Sequence, residues 1–369
     1  MKQQIKLKAN EGIIFNLRSL FDSYGYSQYR MSKFEEYDLY SKNKDFLVSD
    51  GVITFTDTNG KLMALKPDVT LSIVKNTQDG EGVQKLYYNE NVYRVSKSTK
   101  SFKEIMQVGL ECIGEVDGFC VFEVLSLAAK SLSQISENSV LDVSSLDILM
   151  QVMDYAEIPN GEKADLFRCI GEKNLHELTA KCAELGVSDD KTELLKSLVS
   201  MHGAPKAVLP KLKELLDGVV CADVLTQFAD TVSAVTGCAV NIDFSVIDDI
   251  RYYNGIVFKG FIEGVPNSVL SGGQYDVLMK KMKRRNGAVG FAVYLDMLEQ
   301  FNIEKEKFDV DEVLVYDNKP CLDLIGEYTE KLRSEGSSVL VVGKAPKNIR
   351  YKRLSVIENG EVKTVENNA

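Results

Sequence analysis
The sequence predicts an α+β fold: an antiparallel sheet flanked by helices, interrupted by a helical insertion at about residues 160–236, with a small α/β unit at residues 303–369. Three observations carry this expectation. Short apolar runs of two-residue period, bounded by turn residues, recur in the first 135 positions and again after residue 238. From Pro159-Asn160-Gly161 to about Val235 the apolar spacing is helical throughout, so this stretch interrupts one sheet domain spanning residues 1–302. The remaining residues alternate strand, helix and strand, the pattern of a separate α/β unit.

The elements follow in order. From Glu11, the residues Ile13, Leu17, Leu20, Phe21 and Tyr24 fall at helical spacing, and Gly25 stands where a helix would end. A strand-like stretch covers Tyr26–Met31. Asp50–Asp57 reads as a strand turning through Thr58-Asn59-Gly60 into Lys61–Leu65, a hairpin. Pro67-Asp68 opens a short helix, Val69–Lys75. Strands are expected at Leu86–Arg94 and Ile105–Gly114, then a helix over Phe119–Leu132 with Val121, Val124, Leu125 and Ala128 inward. After the insertion, strands are expected at Ala239–Phe244, Tyr252–Ile262, Ser268–Leu270 and Ala288–Val293, and a helix that includes Leu295–Phe301. Past a charged linker, Glu304–Lys307, come strand Glu312–Tyr316, helix Cys321–Leu332 and strand Ser338–Val342.

Composition narrows the function classes. Lys+Arg 44 against Asp+Glu 54 gives a net charge of −10, which argues against broad adhesion to nucleic acid or to an anionic membrane. The N-terminal MKQQIKLKANEG has no apolar core suited to a signal sequence, so a cytoplasmic protein is expected. The 7 cysteines form no C-x-x-C pair and read as buried free thiols. The two histidines, His176 and His202, lie in no ligand or nucleophile motif, so neither a metal nor a histidine-based catalyst is expected. The basic run Lys280-Lys281-Met282-Lys283-Arg284-Arg285 lacks interleaved aromatics and reads as a solvated helix end.

Polar residues that interrupt these patterns mark a candidate site. In IMQVGLECIG, the strand period puts Gln107, Gly109 and Glu111 on the face opposite Met106, Val108, Leu110 and Cys112. Gly109 removes bulk where a ligand can approach, although a solvated sheet face explains the same alternation. Asp68 and Thr70 open a helix, where Asp68 also suits an N-cap. Arg94 ends a strand with a group fitted to a carboxylate or phosphate, or to a surface ion pair. Tyr252 and Tyr253 lead a strand as paired aromatics, suited to a heteroaromatic ligand or to the core. The pair in Ser271-Gly272-Gly273-Gln274-Tyr275-Asp276 is expected between strand and helix, in a hairpin or at a close contact.

The order LKPDVT, NENVYR, QVGLECIG, RYYNGIVF, SGGQYD, GAVGFAVYLDML resembles the histidyl-tRNA synthetase branch of the class II aminoacyl-tRNA synthetases, from about Gly12 to Phe301. The resemblance implies a class II synthetase-like sheet that binds histidine. Position by position, it implies that Asp68, Thr70 and Gln107 receive the ligand's amino group, Arg94 its carboxylate, and Glu111 with Tyr253 its imidazole, with Tyr252 beside them. A zwitterion with a polar ring needs such anions, a cation and acceptors.

The departures point away from catalysis. Where the family ends its last motif in glycine-leucine-glutamate-arginine, this chain has Tyr294-Leu295-Asp296-Met297. Where it has arginine-glycine-leucine-aspartate before the tyrosines, this chain has Asp248-Asp249-Ile250-Arg251. Ser96 stands in place of an acidic residue expected to meet adenine, and Ser32 in place of a proline. Adenylate formation needs cations around the triphosphate. A site that keeps its amino-acid contacts and loses these is similar to that of the ATP phosphoribosyltransferase regulatory subunits. That resemblance implies no catalytic residues or cofactor of its own, and a short-form phosphoribosyltransferase catalytic subunit as partner. It further implies a dimer within a hetero-octamer, histidine as ligand and no tRNA. A divergent histidyl-tRNA synthetase is the alternative, and a paralogue for another amino acid or protein a third.

Overall fold
Helix α1 (Ala9–Ser23) buries Leu17 and Phe21 and is closed by Gly25, whose φ of +79° suits a residue without a side chain. The structure, a computed structural model, describes residues 9–43, 51–96, 99–247, 252–301, 307–316, 322–358 and 360–368. After α1 come β1 (Ser27–Gln28), β2 (Phe34–Glu36), α2 (Tyr37–Ser41), and the hairpin β3 (Thr54–Thr56) and β4 (Leu62–Leu65). The hairpin turn is held by Asp57, whose Oδ1 accepts from the N–H groups of Asn59 and Lys61, both at 2.8 Å. Then follow α3 (Thr70–Asn76), the long strands β5 (Val83–Val95) and β6 (Phe102–Gly114), and α4 (Gly118–Ile135). Asp117 caps α4 by accepting from Cys120 N at 2.9 Å.

Strand β7 (Ser139–Ser145) and helix α5 (Leu146–Tyr155) lead into the insertion. It comprises α6 (Lys163–Gly171), α7 (Leu175–Glu184), α8 (Asp189–Ser200), β8 (His202–Gly203), α9 (Pro205–Leu215) and α10 (Ala222–Ala234). The expectation of an all-helical insertion is thus corrected at one point: Gly203, at φ +134°, lets the chain extend and pair with the sheet edge. The chain returns through β9 (Ala239–Asp243), β10 (Asn254–Ile262), β11 (Leu270–Gln274), α11 (Asp276–Lys281), β12 (Gly287–Tyr294) and α12 (Leu295–Phe301).

Among the described residues nine of these strands form one sheet in the order β1-β5-β6-β12-β11-β10-β7-β9-β8, and the other three form a separate sheet in the order β2-β4-β3. Pairing is antiparallel except for β1 with β5 and β7 with β9. Register sorts the faces. Tyr87, Leu110, Phe291, Gly272, Phe258 and Val143 stand opposite one another across the sheet on one face. Against it α4 packs Val121, Val124, Leu125, Ala128 and Leu132, all in the same buried cluster. Each large apolar side chain so buried is worth about 1.5–3 kcal/mol. Helix α4 is long and apolar enough to cross a membrane by length and composition, and 61% of it is buried within the chain.

Gly272 and Gly273 lie inside β11, not between strand and helix as the sequence suggested. A Cβ on Gly272 would meet Phe258 and Phe291, and one on Gly273 the Tyr253 ring, so both glycines serve close approach. The C-terminal residues form a unit of their own, which includes Asn302–Ala369. There β13 (Val310–Val315), α13 (Leu322–Ser334), β14 (Val339–Val342), β15 (Tyr351–Glu358) and β16 (Glu361–Asn367) build a sheet in the order β14-β13-β15-β16. The β15–β16 hairpin was not expected from the sequence. The linker reading at Glu304–Lys307, apart from Lys307, and the start of the last helix at Cys321 lie outside the described residues.

Candidate functional site
The other face of the sheet carries the candidate site. Opposite Glu111 on β6 stands Gly290 of β12, and opposite Gln107 stands Tyr294. On the other flank, Tyr88 of β5 faces Gly109 and Glu90 faces Gln107. A second buried cluster closes over this end: Leu71, Ile73 and Val74 of α3, Leu278 and Met279 of α11, and Tyr88, Tyr252 and Tyr275.

Glu111 is the centre of the network and only 2% exposed. Thr70 donates to its Oε1 at 2.7 Å and Tyr275 to its Oε2 at 2.6 Å. Burial pushes its carboxyl up to about 8, the two hydroxyl donors pull it back, and the neighbouring Asp68 charge adds to the rise. The position depends on Gly290, because a Cβ there would overlap the Glu111 carboxylate. Tyr252 hydrogen-bonds Thr70, and its ring centroid lies 4.6 Å from that of Tyr253 and 5.8 Å from that of Tyr275.

Asp68 does cap its helix, accepting from Leu71 N at 2.8 Å. It also faces the site: burial raises its carboxyl, while the Arg94 and Lys66 charges and the helix N–H groups oppose the rise. Arg94 is held by its Nε–H donating to Pro67 O at 2.9 Å, which fixes the guanidinium beside the α3 turn. Gln107 is 4% exposed. Of the residues named from the sequence, Asp68, Thr70, Arg94, Glu111 and Tyr252 are therefore joined by hydrogen bonds, charge or ring contacts. Tyr253 lies in tilted ring contact with Tyr252, and Gln107 shares their sheet face.

The reading of Gly109 as an opening for ligand is corrected. A Cβ there would overlap the Phe291 carbonyl oxygen and lie 2.5 Å from the Tyr88 hydroxyl, so the clearance is taken by Tyr88 leaning across from β5. Tyr88, Tyr275 and Gly290 belong to the site although the sequence does not single them out. Tyr275 lies in the SGGQYD motif, whose polar tail was the available signal. Beside the site Lys66, wholly buried, donates to Glu90 Oε2 at 2.9 Å, and burial lowers its ammonium.

The segment Asp248–Arg251 lies outside the described residues. Met297 is half-buried and packs against the main core. Asp296 is buried at Oδ1, an atom without a hydrogen-bond partner; burial raises its carboxyl, against the backbone N–H groups of Met297 and Asp296 and, less, the Lys103 and Arg94 charges. Tyr294 reaches across the face to Ser271, with the two hydroxyls 2.7 Å apart. Ser32 accepts from Phe34 N at 3.0 Å. The basic run is not simply solvated: Arg284 donates to Asp79 at 2.8 Å and to the Val74 carbonyl at 2.7 Å.

At the far edge of the sheet, ligand atoms of Asp142, His202 and Asp243 lie within 4.8 Å of one another, but Lys173 Nζ already sits 2.8 Å from Asp243 Oδ2. Cys112, Cys120, Cys169 and Cys182 are buried, whereas Cys221 is exposed and Cys238 half-buried; Cys321 is outside the described residues.

The family model described as histidyl-tRNA synthetase matches residues 4–298. The chain belongs to that family. Within the histidyl-tRNA synthetase family it is similar to the ATP phosphoribosyltransferase regulatory subunit of Clostridium kluyveri, 28% identical over 87% of this chain and 85% of the relative. It is also similar to the histidine--tRNA ligase of Methanocaldococcus jannaschii, 26% identical over 90% and 82%. Its fold matches the crystal structure of an ATP phosphoribosyltransferase regulatory subunit/histidyl-tRNA synthetase from Bacillus halodurans at a TM-score of 0.72, with 21% identity over 94% of this chain and 93% of that one. The class II synthetase-like α+β fold expected from the motifs is the fold of the chain.

Proposed function
We propose that the chain is a non-catalytic regulatory subunit of ATP phosphoribosyltransferase, acting in the first step of histidine biosynthesis. In this reading it is needed for the activity of a short catalytic subunit and conveys feedback inhibition by histidine. It works in the cytoplasm as a dimer within a hetero-octamer with that subunit. Histidine binds at Asp68, Thr70, Arg94, Gln107, Glu111, Tyr252 and Tyr253: acidic and hydroxyl groups take the ammonium, Arg94 the carboxylate, and Glu111 the ring.

One observation carries the reading: among the described residues, the groups proposed for the amino acid are assembled on one face, while Tyr294, anchored to Ser271, stands opposite Gln107 and is followed in the chain by the Asp296 carboxylate and by Met297, which packs into the main core. A carboxylate and an apolar thioether repel or ignore a triphosphate. The name of the Clostridium kluyveri relative supports the same reading. Regulation is then a coupling free energy of about 1–3 kcal/mol, set by histidine's preference for one state of the complex.

Calorimetric titration with histidine and with ATP tests it, alongside an activity assay of the short phosphoribosyltransferase with and without this chain. Histidine binding, ATP indifference and a rise in activity are expected. Tight ATP binding or histidine-dependent ATP–pyrophosphate exchange would instead support a divergent histidyl-tRNA synthetase, the reading that the Methanocaldococcus jannaschii relative favours.

A further inference from the structure
Behind the sheet, where α10 of the insertion approaches the first turns of α4 and α5, lies a cleft of about 160 Å³. It is on the face opposite the candidate site: Ser145 and Ile256, which pair in register, line it, whereas their neighbours Ser144 and Val257 belong to the site's face. An engineered apolar cavity of about 150 Å³ takes up a benzene molecule, so this volume suits a single ring. Val121, Val224, Phe228 and Ile256 supply an apolar wall for such a body.

The charge of the lining is one-sided. Its only ionisable groups are Asp117 and Asp147, with no lysine, arginine or histidine among the lining residues. Neither aspartate has an ion pair among the described residues. Asp117 is exposed and held below the usual carboxylate range by the α4 N–H groups it accepts from, chiefly Cys120 N. Asp147 accepts a 3.3 Å bond from Gly255 N, leaving its second oxygen for another donor. Two carboxylates beside an apolar wall disfavour an anion or a zwitterion and favour a cation with a flat body.

We propose that this cleft is a second ligand site, for a small aromatic or cyclic monocation whose ammonium or amidinium group faces Asp117 and Asp147. The site stands apart from whatever the opposite face binds. It is nonetheless wired to that face, because its floor is the reverse side of the same strands. Gln274 lines the cleft and accepts from Ile256 N at 2.9 Å. Its chain neighbours are Gly273, which meets the Tyr253 ring, and Tyr275, which bonds Glu111. Gly255, at φ +57°, lines the cleft two residues after Tyr253. An occupant displacing Gln274 therefore moves the supports of both tyrosines.

Benzamidine is the probe, with benzamide and benzoate as neutral and anionic bodies of the same shape, titrated into the full chain by calorimetry or ligand-observed NMR. Saturable benzamidine binding at or below about 10 mM is expected, with benzamide and benzoate at least ~10-fold weaker. Asp147→Asn and Asp117→Asn should each weaken benzamidine several-fold, and Val224→Trp, which fills the cleft without changing its charge, should abolish binding. Glu111→Gln should weaken it less than either aspartate variant does. Equal binding of benzamide, indifference to all three cleft variants, a larger loss in the Glu111→Gln variant than in the aspartate variants, or no binding at that concentration would each overturn the proposal.

Discussion

Glu111 gives the most direct physical test of the site. Its carboxyl ordinarily titrates near 4.5 and is pushed up to about 8 in the folded chain. Between those values the folded protein keeps a proton that the unfolded chain has lost. The stabilising contribution is therefore complete below about 4.5, falls as pH rises toward about 8, and is flat above that. At about 1.4 kcal/mol per pH unit, the interval sets a ceiling near 5 kcal/mol. Water reaching the carboxylate as it ionises brings the expected loss to about 2–4 kcal/mol. Glu111→Gln keeps the shape and removes the titration. Urea unfolding from pH 5 to 9 should show the wild-type protein losing stability across this range relative to the variant, with the variant the more stable at pH 9. A residual slope in the variant is expected from Asp68, whose carboxyl is also raised by burial. Parallel curves for the two proteins would refute the account of a desolvated carboxyl at the heart of the site.

Three further outcomes follow from the same geometry. Tyr275→Phe removes a donor that favours the ionised form, so the Glu111 midpoint, read by NMR of labelled glutamate, should move upward, with about 1 kcal/mol lost at neutral pH. Gly290→Ala sets a methyl against the Glu111 carboxylate and the Leu110 carbonyl; it should cost about 1–3 kcal/mol in denaturant unfolding and weaken histidine binding. Lys66→Met strands Glu90 and should cost about 3 kcal/mol, whereas Lys66→Met with Glu90→Leu should recover most of that loss in a double-mutant cycle.

How much of this was legible in the sequence depended on the range of the interactions. The two-residue period placed Gln107 and Glu111 on the polar face because side-chain direction in a strand is local. The α1 helix and its Gly25 stop were local for the same reason. Tyr88 over Gly109 and Gly290 under Glu111 are set by cross-strand register, which no single segment encodes. Gly272 and Gly273 misled because glycine is depleted from strands unless a neighbour's side chain needs the room, and here Phe258, Phe291 and Tyr253 do. The two-residue strand at His202 was invisible because only its partner β9 defines it.

The return of the chain beside its own departure point has a consequence for how the family varies. Strands β7 and β9 run side by side, with Val140 opposite Ala239 and Val143 opposite Ile242, so residues 146–238 leave and rejoin the sheet at one hydrogen-bonded seam and pair with its edge in between at His202–Gly203. Such an excursion is a cassette: the strands that carry Glu111 and lead into Tyr275 take their register from one another and not from its helices. Change in the cassette reaches the rest of the molecule through that seam and the helix contacts flanking it, and there new regulation can be grafted onto an old pocket.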